Sequence, residues 1–246
     1  MDNALYVGLS RQMVLRREMD IVANNIANVD TTGFKVESLM QKTDASGSAF
    51  TLQGPRPVKF VGDDGVARDF GQGGLRRTDA PFDIAIDGTG FFKVTTKAGE
   101  RYTRDGHFRT DDTGRLTTQA GDVVSDDGGG EITIDPSRPA QVTISDDGTV
   151  SQGTERIGKI GVFKFDSLAA LSKTGSNLYQ NPSNQPAVAV TDPKVRQGML
   201  EGSNVNPILQ ITRMIEVSRA YEQTTQMMQS EFELSRNSVS RLGRVQ

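Results

Sequence analysis

Residues 1–33 read MDNALYVGLSRQMVLRREMDIVANNIANVDTTG, and their spacing decides what one end of the chain does. Met1, Leu5, Leu15, Met19, Val22, Ile26 and Val29 fill seven of the nine positions that alternate four and three residues apart, which is the seam of a coiled coil. Gly8 and Gln12 are the exceptions and weaken its first half. Gly33, after Asp30-Thr31-Thr32, marks the expected stop. Asn24, Asn25 and Asn28 are mediocre helix formers set where the seam is still running. On its register Asn25 flanks the apolar line while Asn24 and Asn28 point outward. Their amides either bond to a neighbouring chain or fray the helix into the turn, and spacing alone does not choose.

The other end of the chain repeats the pattern more weakly. Ile211, Met214, Tyr221, Met228, Phe232, Val239 and Leu242 follow the same alternation, with Ser218, Thr225 and Ser235 out of character. Val217 sits beside Ser218 and can turn into the gap, because a straight helix drifts against a strict seven-residue repeat. Asn206-Pro207 supplies a start, since asparagine accepts from first-turn N–H groups and proline at the first helical position loses no bond. At about 1.5 Å per residue the two helices are expected to run roughly 45 and 55 Å.

Between the ends, short apolar alternations separated by Asp-Gly turns indicate antiparallel strands. Phe82, Ile84 and Ile86 lead into Asp87-Gly88-Thr89-Gly90. Further strands are expected at 91–95, 101–104, 108–110, 116–118, 132–134, 142–144 and 157–165. The stretch from Glu37 to Asp79 reads as an extended or weakly paired connector, and Ser172 to Pro193 as a polar one. The fold class is therefore α+β, a β-rich centre flanked by long terminal helices that pair as a coiled-coil assembly domain. Residues 1–36 with 200–246 are assigned to that domain, 37–80 to the connector, and 81–199 to a β-rich outer domain with its trailing connector.

The chemistry points away from catalysis. His107 is the sole histidine and cysteine is absent, which leaves almost no room for a nucleophilic triad or a histidine metal site. Asp87-Gly88-Thr89-Gly90 precedes a strand, where a dinucleotide fingerprint needs a helix and a third glycine. The acidic turns at Asp63-Asp64, Asp111-Asp112, Asp126-Asp127 and Asp146-Asp147 lack the spacing of a calcium loop and read as hairpin turns. No catalytic residue, metal or cofactor is expected. A net charge of −3 gives no field to attract nucleic acid or an anionic membrane. No stretch approaches the roughly 20 apolar residues of a membrane span. The first residues also lack the basic start and unbroken apolar run of a cleaved secretion signal.

The segment from Ala23 to Lys35, ANNIANVDTTGFK, resembles the N-terminal motif of the bacterial flagellar rod and hook proteins. Asp87 to Phe92 with Tyr102 to Phe108 resembles that family's central β signature. Glu201 to Asn206, with Met214-Ile215-Glu216 and Arg219 to Glu222, is similar to its C-terminal motif. The resemblance thus covers both ends and the middle in order. Within the family, the β insertion is too large for the small rod subunits, and the connector too short for the hook protein. The opening Met1 to Val7, Val205-Asn206-Pro207 and Gln226-Met227-Met228 look more like the proximal than the distal long-form rod proteins.

The resemblance implies a non-enzymatic subunit whose terminal helices line the inner tube of a torque-transmitting rod, with the β domain outward. It implies partners in other rod subunits, in copies of the chain itself and in the flagellar type III export apparatus. It also implies a place in the periplasmic basal body, reached without a cleaved signal. The assembly contacts are then expected at Leu5, Leu15, Met19, Val22, Asn24, Asn25, Ile26, Asn28 and Val29, and at Ile211, Met214, Val217, Tyr221, Met228, Phe232, Val239 and Leu242. A carbohydrate-active or adhesive cell-surface β-domain protein is the alternative, and it leaves the heptad helices at both termini unexplained.

Overall fold

A computed structural model describes residues 2–51, 54–138 and 141–242, and divides the chain into two compact units. The first contains 1–27, 37–68 and 206–246; the second contains 28–36 and 69–205.

The first unit is built on two helices, α1 (Asp2–Ala27) and α2 (Pro207–Leu242). Between them in sequence lies a hairpin of β1 (Glu37–Thr51) and β2 (Gly54–Arg68). At about 1.5 Å per residue the helices span about 39 and 54 Å. The start of α2 is the expected cap: Asn206 Oδ1 accepts from Ile208 N at 3.1 Å and Leu209 N at 3.2 Å, with Pro207 opening the helix. The end of α1 differs from expectation. It stops at Ala27, six residues before Gly33, and leaves Asn28 and Val29 outside the helix. Asn28 closes a turn instead, accepting from Thr31 N on its carbonyl and from Thr31 Oγ1 on its side chain. An amide that bonds locally competes with the helix, so Asn28 ends it before the glycine is reached.

The stretch from Glu37 to Arg68 is more ordered than its composition suggests. β1 and β2 pair antiparallel from Glu37 opposite Arg68 to Thr51 opposite Gly54, with register shifts after Met40 and Ser46. A two-stranded ribbon is marginal alone. This one packs along α1, and its inner residues Leu39, Val61 and Val66 are half-buried.

The second unit is the β-rich centre. Among the described residues its largest sheet has nine strands, with the strand Phe91–Thr96 near the middle between Gly99–Thr103 and Val123–Val124. The expected strands at 108–110, 116–118 and 142–144 form with those bounds. Residues 157–165 break into two strands, Glu155–Lys159 and Val162–Lys164, and 132–134 makes one isolated bridge, Thr133 opposite Arg115, rather than a strand. The polar segment after Ser172 also pairs: Ser172–Gly175 with Leu178–Gln180, which joins the edge of the large sheet beside Gly99–Thr103.

Two apolar clusters hold this unit. Phe92, Val94, Phe108, Leu116, Val124, Ile160 and their neighbours form an aliphatic core, while Phe91, Tyr102, Phe163, Phe165 and Tyr179 form an aromatic one. Tyr102 and Phe165 meet edge to face at 4.7 Å, a favoured geometry. Gly106 shows how tight the first cluster is, because a Cβ there would lie 1.6 Å from the carbonyl oxygen of Ile84.

Candidate functional site

Within the first unit α1 and α2 run antiparallel and bury one face of each. Val14, Leu15, Ile21 and Val22 on α1 and Val217 on α2 are buried; Leu5, Met19, Ile26, Met214, Tyr221 and Met228 are half-buried. The positions that looked like flaws in the seams fit one another. Gly8 lies under Met228, whose Cγ would be 2.8 Å from a Cβ at that position, so the missing side chain makes room for the methionine. Gln12 and Thr225, the polar intruders of the two seams, face each other, and Gln12 Nε2 donates to Thr225 Oγ1 at 3.1 Å. A paired hydrogen bond removes most of the cost of placing either in a part-buried seam.

Farther along, Glu18 is buried on α1 and takes the Arg213 guanidinium from α2, with Arg213 Nε 2.8 Å from its Oε1. Gln41 Nε2 donates to the other oxygen at 3.2 Å. The Glu18 carboxylate holds Arg213 above the usual guanidinium range. Asn25, 1% exposed, is bonded within the chain: its Nδ2 donates to Glu37 O at 2.7 Å and Gln210 Oε1 at 3.2 Å, and its Oδ1 accepts from Glu37 N at 2.9 Å. Asn24 is exposed on the outer face of α1.

A second apolar set is left uncovered in this unit. Tyr6, Leu9 and Met13 on α1 and Ile208, Leu209, Ile211 and Ile215 on α2 are exposed, as is Phe232. Each trio Tyr6-Leu9-Met13 and Ile208-Ile211-Ile215 has the three- and four-residue spacing of one helix face. The side chains of Val239 and Leu242 lie outside the described residues, as does Met1.

In the second unit the three motif segments meet at one buried charge cluster. Lys35 Nζ is 2.5 Å from Glu201 Oε1, and both side chains are fully buried. Lys35 also donates to Gly71 O at 2.7 Å, and Gly73 N donates to Glu201 Oε1 at 3.0 Å. Arg104 Nη1 lies 3.3 Å from Glu201 Oε2, and its Nη2 donates to Gly88 O at 2.6 Å. Burial lowers the pKa of both Lys35 and Arg104, and Glu201 opposes that shift in each. Gly33, at φ +66°, donates to Glu201 O at 2.8 Å, and a Cβ there would strike the Arg104–Asp105 peptide at 2.6 Å. The glycine predicted as a helix stop is therefore required by a close approach to the central signature.

Family models match this order of segments. The flagella basal body rod protein model matches residues 5–35, the flagellar hook protein FlgE/F/G D1 domain 85–152, and the flagellar basal body rod FlgEFG protein C-terminal model 196–242. The flagellar basal-body rod protein FlgF of Caulobacter vibrioides is 58% identical over 245 residues, 100% of each chain. The chain belongs to the flagellar basal-body rod protein family. FlgF of Mesorhizobium japonicum is 35% identical over 244 residues, 99% of each chain, and FlgG of Bacillus subtilis 33% over 254, covering 94% of this chain and 96% of its own. Proteins named FlgF and FlgG are thus both relatives, and the 58% identity over the full chain is to a FlgF. A rod protein is a structural subunit that assembles with other rod subunits, and it is not an enzyme.

For a rod protein, several of the residues that matter structurally were missed by the seam pattern. Glu18, Arg213, Lys35, Arg104 and Glu201 are charged groups set in apolar or glycine-rich surroundings, and that contrast is the signal that could have found them. His107 carries no such role. It is half-exposed, with its Nε2 3.8 Å from Asp83 Oδ1. His107→Ala should leave the unfolding free energy within about 0.5 kcal/mol of the parent and motility unchanged, as expected for a surface substitution. Calorimetry and a swim assay check it.

Proposed function

We propose that this chain is the proximal type of rod subunit and polymerises through its first unit to build part of the torque-transmitting drive shaft. The observation that carries the reading is the pair of uncovered apolar faces, Tyr6-Leu9-Met13 and Ile208-Ile211-Ile215, left on helices that have already buried one face against each other. Exposed apolar stripes on a polar chain are disfavoured unless a partner covers them.

On this reading the two helices act as a coiled-coil assembly domain, in which knobs locked into holes resist sliding as well as separation. The β-rich unit stands to the outside. Export proceeds through the flagellar type III apparatus, and the rod stands in the periplasm. The 58% identity to FlgF of Caulobacter vibrioides over the whole of both chains supports the proximal assignment.

The test is to delete the chromosomal copy, restore the chain with an epitope in the outer unit, and purify basal bodies. Rods that contain the tagged chain on the membrane-proximal side, and loss of swimming without it, are the expected results. Basal bodies that assemble and turn without the chain reject the proposal. A tag found at the hook-proximal end overturns the proximal assignment alone.

A further inference from the structure

Within the first unit, α2 carries an apolar ridge near its start and, farther along, one wall of a groove it shares with α1. Ile208, Ile211 and Ile215 form the ridge and are 74%, 50% and 48% exposed. Arg219 and Glu222, both exposed, continue the same three- and four-residue spacing along that face. In the groove, Thr225, Met228, Gln229 and Phe232 stand at i, i+3, i+4 and i+7, with Leu5 of α1 beside them and Glu233 and Arg236 also lining it. Four residues so spaced make the hole that a knob from a facing helix enters. Among the described residues Arg219, Glu222, Glu233 and Arg236 make no ion pair. The ridge and the hole lie on one continuous helix, Pro207–Leu242, and cannot reach each other within a chain. Only a second copy can bring them together.

We propose that α2 of a second copy lies parallel over this groove with its Ile215 in the hole, the two copies displaced by about fourteen residues, or about 21 Å at 1.5 Å per residue. Charge fixes the same displacement twice. With Ile215 level with Met228 and Gln229, Arg219 comes opposite Glu233 and Glu222 opposite Arg236, and each pair is fourteen residues apart in the sequence. Direction is decided in the same way. Seating Ile215 in the hole with the second helix reversed sets Glu222 against Glu222 of the other copy, a like-charge contact that the parallel arrangement avoids. Because the knob and the hole are different surfaces, the contact does not close on itself. Each copy that fills a hole offers its own, and copies add in a staggered row.

This contact rests on the rod reading above, and the experiment keeps the two apart. The chain has no cysteine, so Ile215→Cys with Gln229→Cys introduces its only thiols. Basal bodies purified from cells that carry this variant as the sole copy, once oxidised, should give dimers and higher multimers of the chain on a non-reducing gel, since the two positions come within disulfide reach. Ile215→Cys with Glu222→Cys, a seven-residue offset, should give none. Separately, Arg219→Glu should cut incorporation into basal bodies about tenfold, and adding Glu233→Arg should restore it. An effect confined to the helix itself would not be repaired fourteen residues away. Basal bodies that contain the Ile215→Cys, Gln229→Cys chain but yield no multimers, or equal multimers from the seven-residue pair, overturn the stagger and leave the rod reading standing. Failure of Glu233→Arg to rescue Arg219→Glu does the same. Basal bodies that lack even the parent chain overturn the rod reading and this contact with it.

Discussion

Glu201→Gln is expected to destabilise the β-rich unit by about 3–5 kcal/mol at neutral pH, the range for breaking a buried ion pair from one side. The shape of the residue survives the change, and Gly73 N keeps an acceptor. What is lost is the negative charge in contact with both buried cations, Lys35 and Arg104. Neither cation can reach water, since the Lys35 side chain is fully buried and that of Arg104 is 3% exposed. Adding Lys35→Met to Glu201→Gln removes one of the two stranded charges, so the double variant should be more stable than the sum of the single changes predicts.

The pH dependence of this variant carries its own sign. Burial already lowers the Lys35 pKa and Glu201 is the main group opposing that, ahead of Asp69, so Glu201→Gln lowers it further. In the interval between that value and the ordinary lysine value, the unfolded chain binds more protons than the folded one, and stability rises with pH. The deficit of Glu201→Gln should therefore shrink as pH climbs from the variant's Lys35 pKa to the parent's, which itself lies below the ordinary lysine value. A deficit that is constant with pH, or a loss below 1 kcal/mol at pH 7, would show that the cluster is solvated and not a buried ion pair. Chemical denaturation across that range measures both.

How much of this was legible depended on whether a residue's role is local. The start of α2 and several of the strands were, because Asn206-Pro207 and the alternation of Phe108 to Thr110 or Leu116 to Thr118 act within a few residues. The hairpin of β1 and β2 was not, because its stability comes from packing on α1 and its glycine- and serine-rich sequence carries little propensity of its own. The polar exceptions in the seams were read as weaknesses one helix at a time. Gln12 makes sense only once Thr225, 213 residues away, is placed opposite it. The same holds for the charge cluster: Lys35, Arg104 and Glu201 each stood inside a recognisable motif, but the pairing is a fact of three dimensions. Asn25 shows the limit most directly, since spacing left its amide open to a neighbouring chain and the fold spends it on Glu37 and Gln210.

Val22→Asp with Ile26→Asp should abolish rod incorporation and swimming while leaving the β-rich unit folded. Val22 is 4% exposed on the inner face of α1 and Ile26 is half-buried one turn later. Each change removes apolar burial of about 1.5–3 kcal/mol for a fully buried side chain and sets a carboxylate where desolvation costs several kcal/mol more. The guanidinium of Arg213, which α2 brings to Glu18 on α1, is already held there. The helices should therefore separate, with loss of amide protection along α1 and α2 and retention at Phe92 and Val94. Ile211→Asp is the contrasting variant. Ile211 is 50% exposed on α2, so a charge there costs the free chain little. If its face is covered by a neighbouring subunit in the rod, Ile211→Asp keeps full protection in the isolated chain and still fails to enter basal bodies. Normal swimming by the double variant would remove the helices from the assembly mechanism, and normal incorporation of Ile211→Asp would move the neighbour contact to another face.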